Sequence, residues 1–288
     1  MITIHQITKT YSGNLQALRG IDLEIGSGMF GLVGPNGAGK TSLMRILAGL
    51  LLPTSGSAHI FDYNLSDPAG KEAVKALLGY LPQELGLPPE LTGLEFLHYV
   101  ARLKGITDPA VRKTQVEQTL EWVRLAPEAN RRLKTYSGGM KRRIGIAQAL
   151  LGEPRLLIVD EPTAGLDPEE RVRLRNLLSD MARRCTVILS THIIEDISHS
   201  CNDLAVLDKG RVLFHGSPRQ LITQAKGKVW YVLTEGDRPG DSLTTVSTLH
   251  LAEGIQYRVI GIPGAAYPDA REAEPSLEDG YIWLMKNQ

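Results

Sequence analysis

Met29-Phe30-Gly31-Leu32-Val33-Gly34-Pro35-Asn36-Gly37-Ala38-Gly39-Lys40-Thr41-Ser42 is the stretch that decides the fold. Met29 to Val33 is a short apolar run and predicts a buried strand. Thr41 to Leu51 reads as a helix, closed by Pro53 and Gly56. Between them, Gly34 to Thr41 fits the pattern GxxxxGK(S/T) in the strand-loop-helix setting that the pattern requires. Glycines let backbone N–H groups wrap an anion, and the helix start adds partial positive charge. The expected ligand is a nucleoside triphosphate. Gly34, Pro35, Asn36, Gly37, Ala38, Gly39, Lys40, Thr41 and Ser42 are expected to hold its phosphates. Lys40 would reach the β- and γ-phosphates, and Thr41 would offer its hydroxyl to Mg²⁺.

A second run fits the first. Leu156-Leu157-Ile158-Val159-Asp160-Glu161 is four apolar residues ending in two acids. A buried strand that delivers Asp160 at its C-terminal end would complete the Mg²⁺ shell, and Glu161 would serve as general base toward an attacking water. Alone, the same run is a strand with a solvated acidic end.

The third motif narrows the class. Tyr136-Ser137-Gly138-Gly139-Met140 precedes the basic helix Lys141-Arg142-Arg143-Ile144-Gly145-Ile146-Ala147-Gln148-Ala149-Leu150. Ser137, Gly138 and Gly139 form a second anion cradle at a helix start. The loop resembles the LSGGQ signature of ABC-type ATPases, with Tyr136 for Leu and Met140 for Gln. The resemblance to an ABC-transporter ATPase subunit covers residues 1 to about 216. It implies further site residues. Tyr11 resembles the aromatic residue that stacks on adenine. Gln83 matches the glutamine that touches Mg²⁺ and water. Ala164-Gly165-Leu166-Asp167 resembles the dimer-facing loop, with Asp167 near nucleotide. His192 matches the histidine that contacts the γ-phosphate. The implied catalytic set is Glu161, His192, Gln83 and Lys40, and the implied metal ligands are Thr41, Gln83 and Asp160. The cofactors would be ATP and Mg²⁺. The partners would be a second ATPase subunit, identical or paired, and an integral-membrane permease on a separate chain. The location would be the cytoplasmic face of the cell membrane. Pro275-Ser276-Leu277-Glu278-Asp279 resembles the tail of exporter ATPases of multidrug and antibiotic type; it also reads unaided as an N-capped helix.

Around these motifs the chain alternates strands and helices, which predicts an α/β core with a mainly parallel sheet. The N-terminal 33 residues read as strands, and N-terminal antiparallel strands are expected beside the parallel sheet. Residues of about 87–150 read as a helical subdomain, and 217–288 as a small C-terminal α+β domain. Leu85, Leu87, Leu91 and Phe96 are candidates for the permease-docking face or for the subdomain's own core. The basic runs Arg131–Lys134 and Lys141–Arg143 read as solvated helix faces. Histidines 5, 59, 98, 199, 215 and 250 and the three tryptophans lack motif context and read as structural or surface residues.

Composition closes off other classes. The chain has 288 residues, 42% hydrophobic and 22% charged, which suits a folded protein. Its 32 basic and 32 acidic side chains cancel, so no global field draws nucleic acid. Cys185 and Cys201 form neither a disulfide framework nor a zinc motif, and a reducing compartment fits them. No run approaches the ~20 apolar residues of a membrane span, and the N-terminus alternates like a strand rather than a signal peptide. An ABC ATPase working on DNA or ribosomes would need inserted coiled coils, zinc modules or a second cassette. A small-molecule kinase would have no role for the signature loop or His192. An importer ATPase is the alternative to export.

Overall fold

In a computed structural model, every residue except His199, Asp241 and Gln288 is described. The chain divides into two compact units, Met1–His215 and Gly216–Gln288. The first holds β1 (Ile2–Thr10), β2 (Gln16–Ile25), β3 (Met29–Val33), α1 (Lys40–Leu47), β4 (Ser55–Ile60), β5 (Tyr63–Asn64), α2 (Pro68–Leu77) and β6 (Leu78–Leu81). It continues with α3 (Gly93–Leu103), α4 (Pro109–Trp122), α5 (Gly138–Leu150), β7 (Leu156–Asp160), α6 (Pro168–Ala182), β8 (Thr186–Thr191), α7 (Glu195–Ser198), β9 (Asp203–Asp208) and β10 (Arg211–Gly216). The second holds α8 (Pro218–Gln224), β11 (Val229–Thr234), β12 (Thr244–Leu251), β13 (Gly254–Ile260), β14 (Arg271–Glu272) and α9 (Leu277–Lys286).

The central sheet runs β10-β9-β3-β8-β7-β6 and is parallel from β9 to β6. Every residue of β3, β7 and β8 is buried, as expected of strands covered on both faces. Register places Val33 beside Thr191 and Asp160 beside Ser190. Three neighbouring strands therefore end together, and the residues that follow them share one sheet edge, where α/β proteins bind ligands. A second sheet, β2-β1-β4-β5, is antiparallel. The strand β4 belongs here and not to the parallel sheet: Ile60 pairs with Ile2. Sequence alternation does not distinguish the two placements, because β4 is followed by a helix either way.

Helical spacing after Pro89 yields α3 and α4. Thr92 caps α3 in a reciprocal capping box with Glu95, and Asp108 caps α4 ahead of Pro109. The C-terminal unit is a sheet of order β12-β13-β11-β14 with helices α8 and α9. A capping box of Ser276 and Asp279 starts α9 within the expected terminal helix. The sequence pattern does not reveal β12, an edge strand with one neighbour and mostly exposed side chains, or the two-residue β14. Nor does it reveal α8, only 7 residues long.

Candidate functional site

The loop from Gly34 to Gly39 joins the end of β3 to α1. Gly37 has φ +82°, and a Cβ placed there would meet nothing within 4 Å, so its bare backbone faces open space. Gly39 has φ +106°, and a Cβ there would lie 2.6 Å from the Ala17 carbonyl oxygen. The first glycine keeps a concave surface clear, and the second lets the loop lie against β2. Residues Asn36 to Ser42 line a cavity of about 600 Å³ together with Tyr11, Gln83 and Glu161. The Tyr11 hydroxyl lies 3.1 Å from Ser42 Oγ, so its ring stands beside the helix start.

Lys40 is buried. Its Nζ donates to the Gly34 and Pro35 carbonyls at 2.6 and 3.2 Å and lies 3.4 Å from Glu161 Oε1. Glu161 is equally buried and sits at φ +49°, a left-handed conformation that costs a non-glycine residue about 1–3 kcal/mol. The turn is held from β8: the Glu161 N–H donates to Ser190, to both its carbonyl (3.2 Å) and its Oγ (3.1 Å). The outer carboxylate oxygen, Oε2, lies 2.7 Å from His192 Nδ1. His192 leaves β8 just after Thr191, with its ring half exposed. Asp160 is fully buried. Its Oδ1 accepts from Ser190 Oγ, whereas Oδ2 has no hydrogen-bond partner among the described residues. A buried anionic oxygen without a donor is costly unless a cation meets it. The donor set therefore fits a hard divalent ion such as Mg²⁺.

Ser137 caps α5, its Oγ accepting from the Met140 N–H at 3.2 Å. Ser137 and Gly138 are exposed. A Cβ on Gly138 would meet nothing within 4 Å, and one on Gly139 only Leu166 at 3.7 Å. Nothing among the described residues requires glycine at either position. Neither this loop nor Asp167 lines the cavity. Asp167 is exposed and caps α6, accepting from Glu170 N–H at 2.8 Å. Tyr136 is buried; its hydroxyl donates to the Glu128 carbonyl at 2.9 Å.

One expectation is corrected and one alternative is decided. Arg142 is 6% exposed and is no part of a solvated face. Nε donates to the Pro162 carbonyl (2.9 Å), Nη1 to those of Pro82 (3.1 Å) and Gln83 (2.9 Å), and Nη2 to those of Asp160 (2.7 Å) and Glu161. Phe96 is buried and belongs to the core of the helical region; Tyr99 and Leu103 are the exposed apolar residues of α3. Sequence patterns also miss Asp196, buried on α7. Its Oδ2 accepts from Thr163 Oγ1 at 2.6 Å and Thr191 Oγ1 at 3.3 Å, tying the loop after Glu161 to the end of β8. Burial pushes the Cys185 and Cys201 thiols up to about 11 and 12, which makes them poor nucleophiles. His199 lies outside the described residues.

The model of the family described as "ABC transporter" matches residues 18–164, which include the phosphate loop, the signature loop and both acids. The chain belongs to the ABC transporter family. Relatives agree. The "Nod factor export ATP-binding protein I" of Rhizobium sp. is 38% identical over 302 residues, spanning 98% of this chain and 96% of that one. The "Probable multidrug ABC transporter ATP-binding protein YbhF" of Escherichia coli is 38% identical over 99% of this chain, which spans only 52% of YbhF. A solved ABC cassette, the dimeric MJ0796 bound to ADP and Pi, superposes with a TM-score of 0.70 at 26% identity, covering 75% of this chain and 98% of that chain. The chain thus carries the cassette of that family, and the solved relative holds ADP and Pi. No helix among the described residues is long and apolar enough to cross a membrane.

Proposed function

We propose that this chain hydrolyses ATP to drive export through a separate integral-membrane permease, working at the cytoplasmic face of the membrane as one of a pair of cassettes. The observation that carries the chemistry is the convergence of Lys40, Asp160, Glu161 and His192 at one sheet edge beside the glycine cradle. The export direction draws on the relatives' names and on the Pro275–Asp279 tail.

Lys40 exchanges its carbonyl partners for β- and γ-phosphate oxygens. Tyr11 stacks on the base at the cavity's outer wall. Thr41, Asp160 Oδ2 and Gln83 would hold Mg²⁺, which would neutralise phosphate charge. Glu161 takes the proton of the attacking water; His192 holds the carboxylate in place through Oε2 and meets the γ-phosphate. Ser137 to Gly139 and Asp167 face the partner cassette, where the signature loop caps the partner's γ-phosphate with backbone N–H groups. The exposure of Gly138 and the open space over it support that outward role.

Lys40→Ala tests the site. It removes a phosphate clamp whose neighbours are two backbone carbonyls and the Glu161 carboxylate, which keeps its contact with His192, so the fold should persist while ATP hydrolysis falls at least a hundredfold. Turnover at the wild-type rate would refute the assignment.

A further inference from the structure

Resting on the paired-cassette reading, we propose that Arg142 is a positioning residue that couples the two ATP sites of the pair. All five N–H donors of its guanidinium are engaged, each with a different backbone carbonyl. Those carbonyls belong to two segments only. Pro82 and Gln83 precede α3, and Asp160 to Pro162 carry the catalytic carboxylate. Arg142 itself lies on α5, whose cap is Ser137. One side chain therefore binds the helix that reaches the partner's ATP to both segments that serve the chain's own ATP.

The geometry makes this link stiff. Arg142 is five residues beyond Ser137, about 7.5 Å along the helix axis. A helix transmits a displacement over that distance without loss, and a planar fork with five fixed donors yields little before its bonds break. Glu161 is held at φ +49° by its neighbours alone, so moving its carbonyl re-aims its carboxylate. Closure of Ser137–Gly139 on the partner's γ-phosphate thus sets Glu161 and Gln83 in the opposite site. All five bonds of the fork go to backbone carbonyls and none to a carboxylate, so the fork braces the backbone rather than pairing with Asp160 or Glu161.

Steady-state ATPase activity against ATP concentration tests the proposal on the full chain, using wild type, Arg142→Lys and Arg142→Gln, with ATP affinity and melting temperature measured alongside. Lysine keeps the charge but supplies three donors from a point. Glutamine keeps two donors and no charge. The expected result is folded variants with wild-type ATP affinity, kcat reduced about tenfold or more, and a Hill coefficient that drops from above one to one. Lysine is expected to rescue no more than a small part. Reduced kcat with the Hill coefficient intact would confine Arg142 to its own site and overturn the coupling. Unchanged kinetics would overturn it altogether. Failure of both variants to fold would make Arg142 purely structural, also overturning it. A wild-type Hill coefficient of one, without ATP-dependent dimers, would instead refute the pairing on which the coupling rests.

Discussion

His192 Nδ1 lies 2.7 Å from Glu161 Oε2, while Lys40 Nζ approaches the other oxygen of the same carboxylate at 3.4 Å. The Glu161 carboxylate is thus gripped from both sides, one grip from the end of β8 and one from the start of α1. Either partner that turns toward phosphate frees one oxygen for water.

Glu161→Gln should trap an ATP-bound dimer. Glutamine keeps the shape and can bond His192 but cannot accept a proton, so hydrolysis should fall by about 10²–10⁴. Lys40, the loop N–H groups and Asp160 are untouched, and one negative charge leaves a pocket that must take a triphosphate. Light scattering on the purified variant should show monomer without nucleotide and dimer with ATP and Mg²⁺. A variant that binds ATP without hydrolysing it and stays monomeric, even beside its permease, would count against the facing cradles.

Two glycines separated by a single alanine should fail differently. Gly37→Ala places its methyl in open space at φ +82°, costing about 1–2 kcal/mol, so the fold survives while ATP binding weakens about tenfold or more. Gly39→Ala drives its methyl to 2.6 Å from the Ala17 oxygen, so β2 or the loop must shift; a loss of about 2 kcal/mol or more is expected. Calorimetry and nucleotide titration on both variants separate the effects.

The glycine loop and the acids at the end of β7 are legible because each motif is contiguous and its neighbours in sequence supply its strand and helix. Arg142 is not. Its partners lie 18 to 60 residues away, and all are backbone carbonyls, which leave no trace in side-chain patterns. In the run Lys141-Arg142-Arg143, only Lys141 is fully exposed, and residue type alone does not separate the three. Asp196 is hidden for a similar reason, since its threonine partners sit in other segments. The strand β12, Thr-Thr-Val-Ser-Thr-Leu-His-Leu, lacks the apolar alternation of a half-buried strand because it is a solvated edge.

The C-terminal unit should be acid-sensitive through one ion pair. Asp279 is fully buried and bonds Arg258 Nη2 at 2.6 Å. Burial alone would lift its carboxyl, but the bonds from Arg258 and Ser276 prevail and hold it below the ordinary value. The unfolded chain therefore binds the extra proton on acidification. The stabilisation is complete above the ordinary carboxylate range near pH ~4 and is lost as pH falls through the lower folded value. Asp279→Asn should cost about 3 kcal/mol at neutral pH and flatten that acid transition, followed by fluorescence of Trp230 and Trp283.

Ending the chain at His215 should leave a folded unit that binds ATP, because the whole cavity lining lies before that residue. Altered dimerisation or regulation is expected instead. An insoluble product, or one that does not bind ATP, would show that the two units fold as one.

Tyr136 carries a last consequence. A Cβ added to Gly93 would fall 2.3 Å from the Tyr136 hydroxyl oxygen, whose hydrogen is committed to Glu128. The two positions are therefore one choice rather than two. Among relatives, a side chain at the position of Gly93 should occur only where the tyrosine has been replaced by a shorter residue, and the tyrosine only opposite glycine. The pair forms a covariation signature, readable from sequence alone, of how the loop before Ser137 is fastened to the first turn of α3.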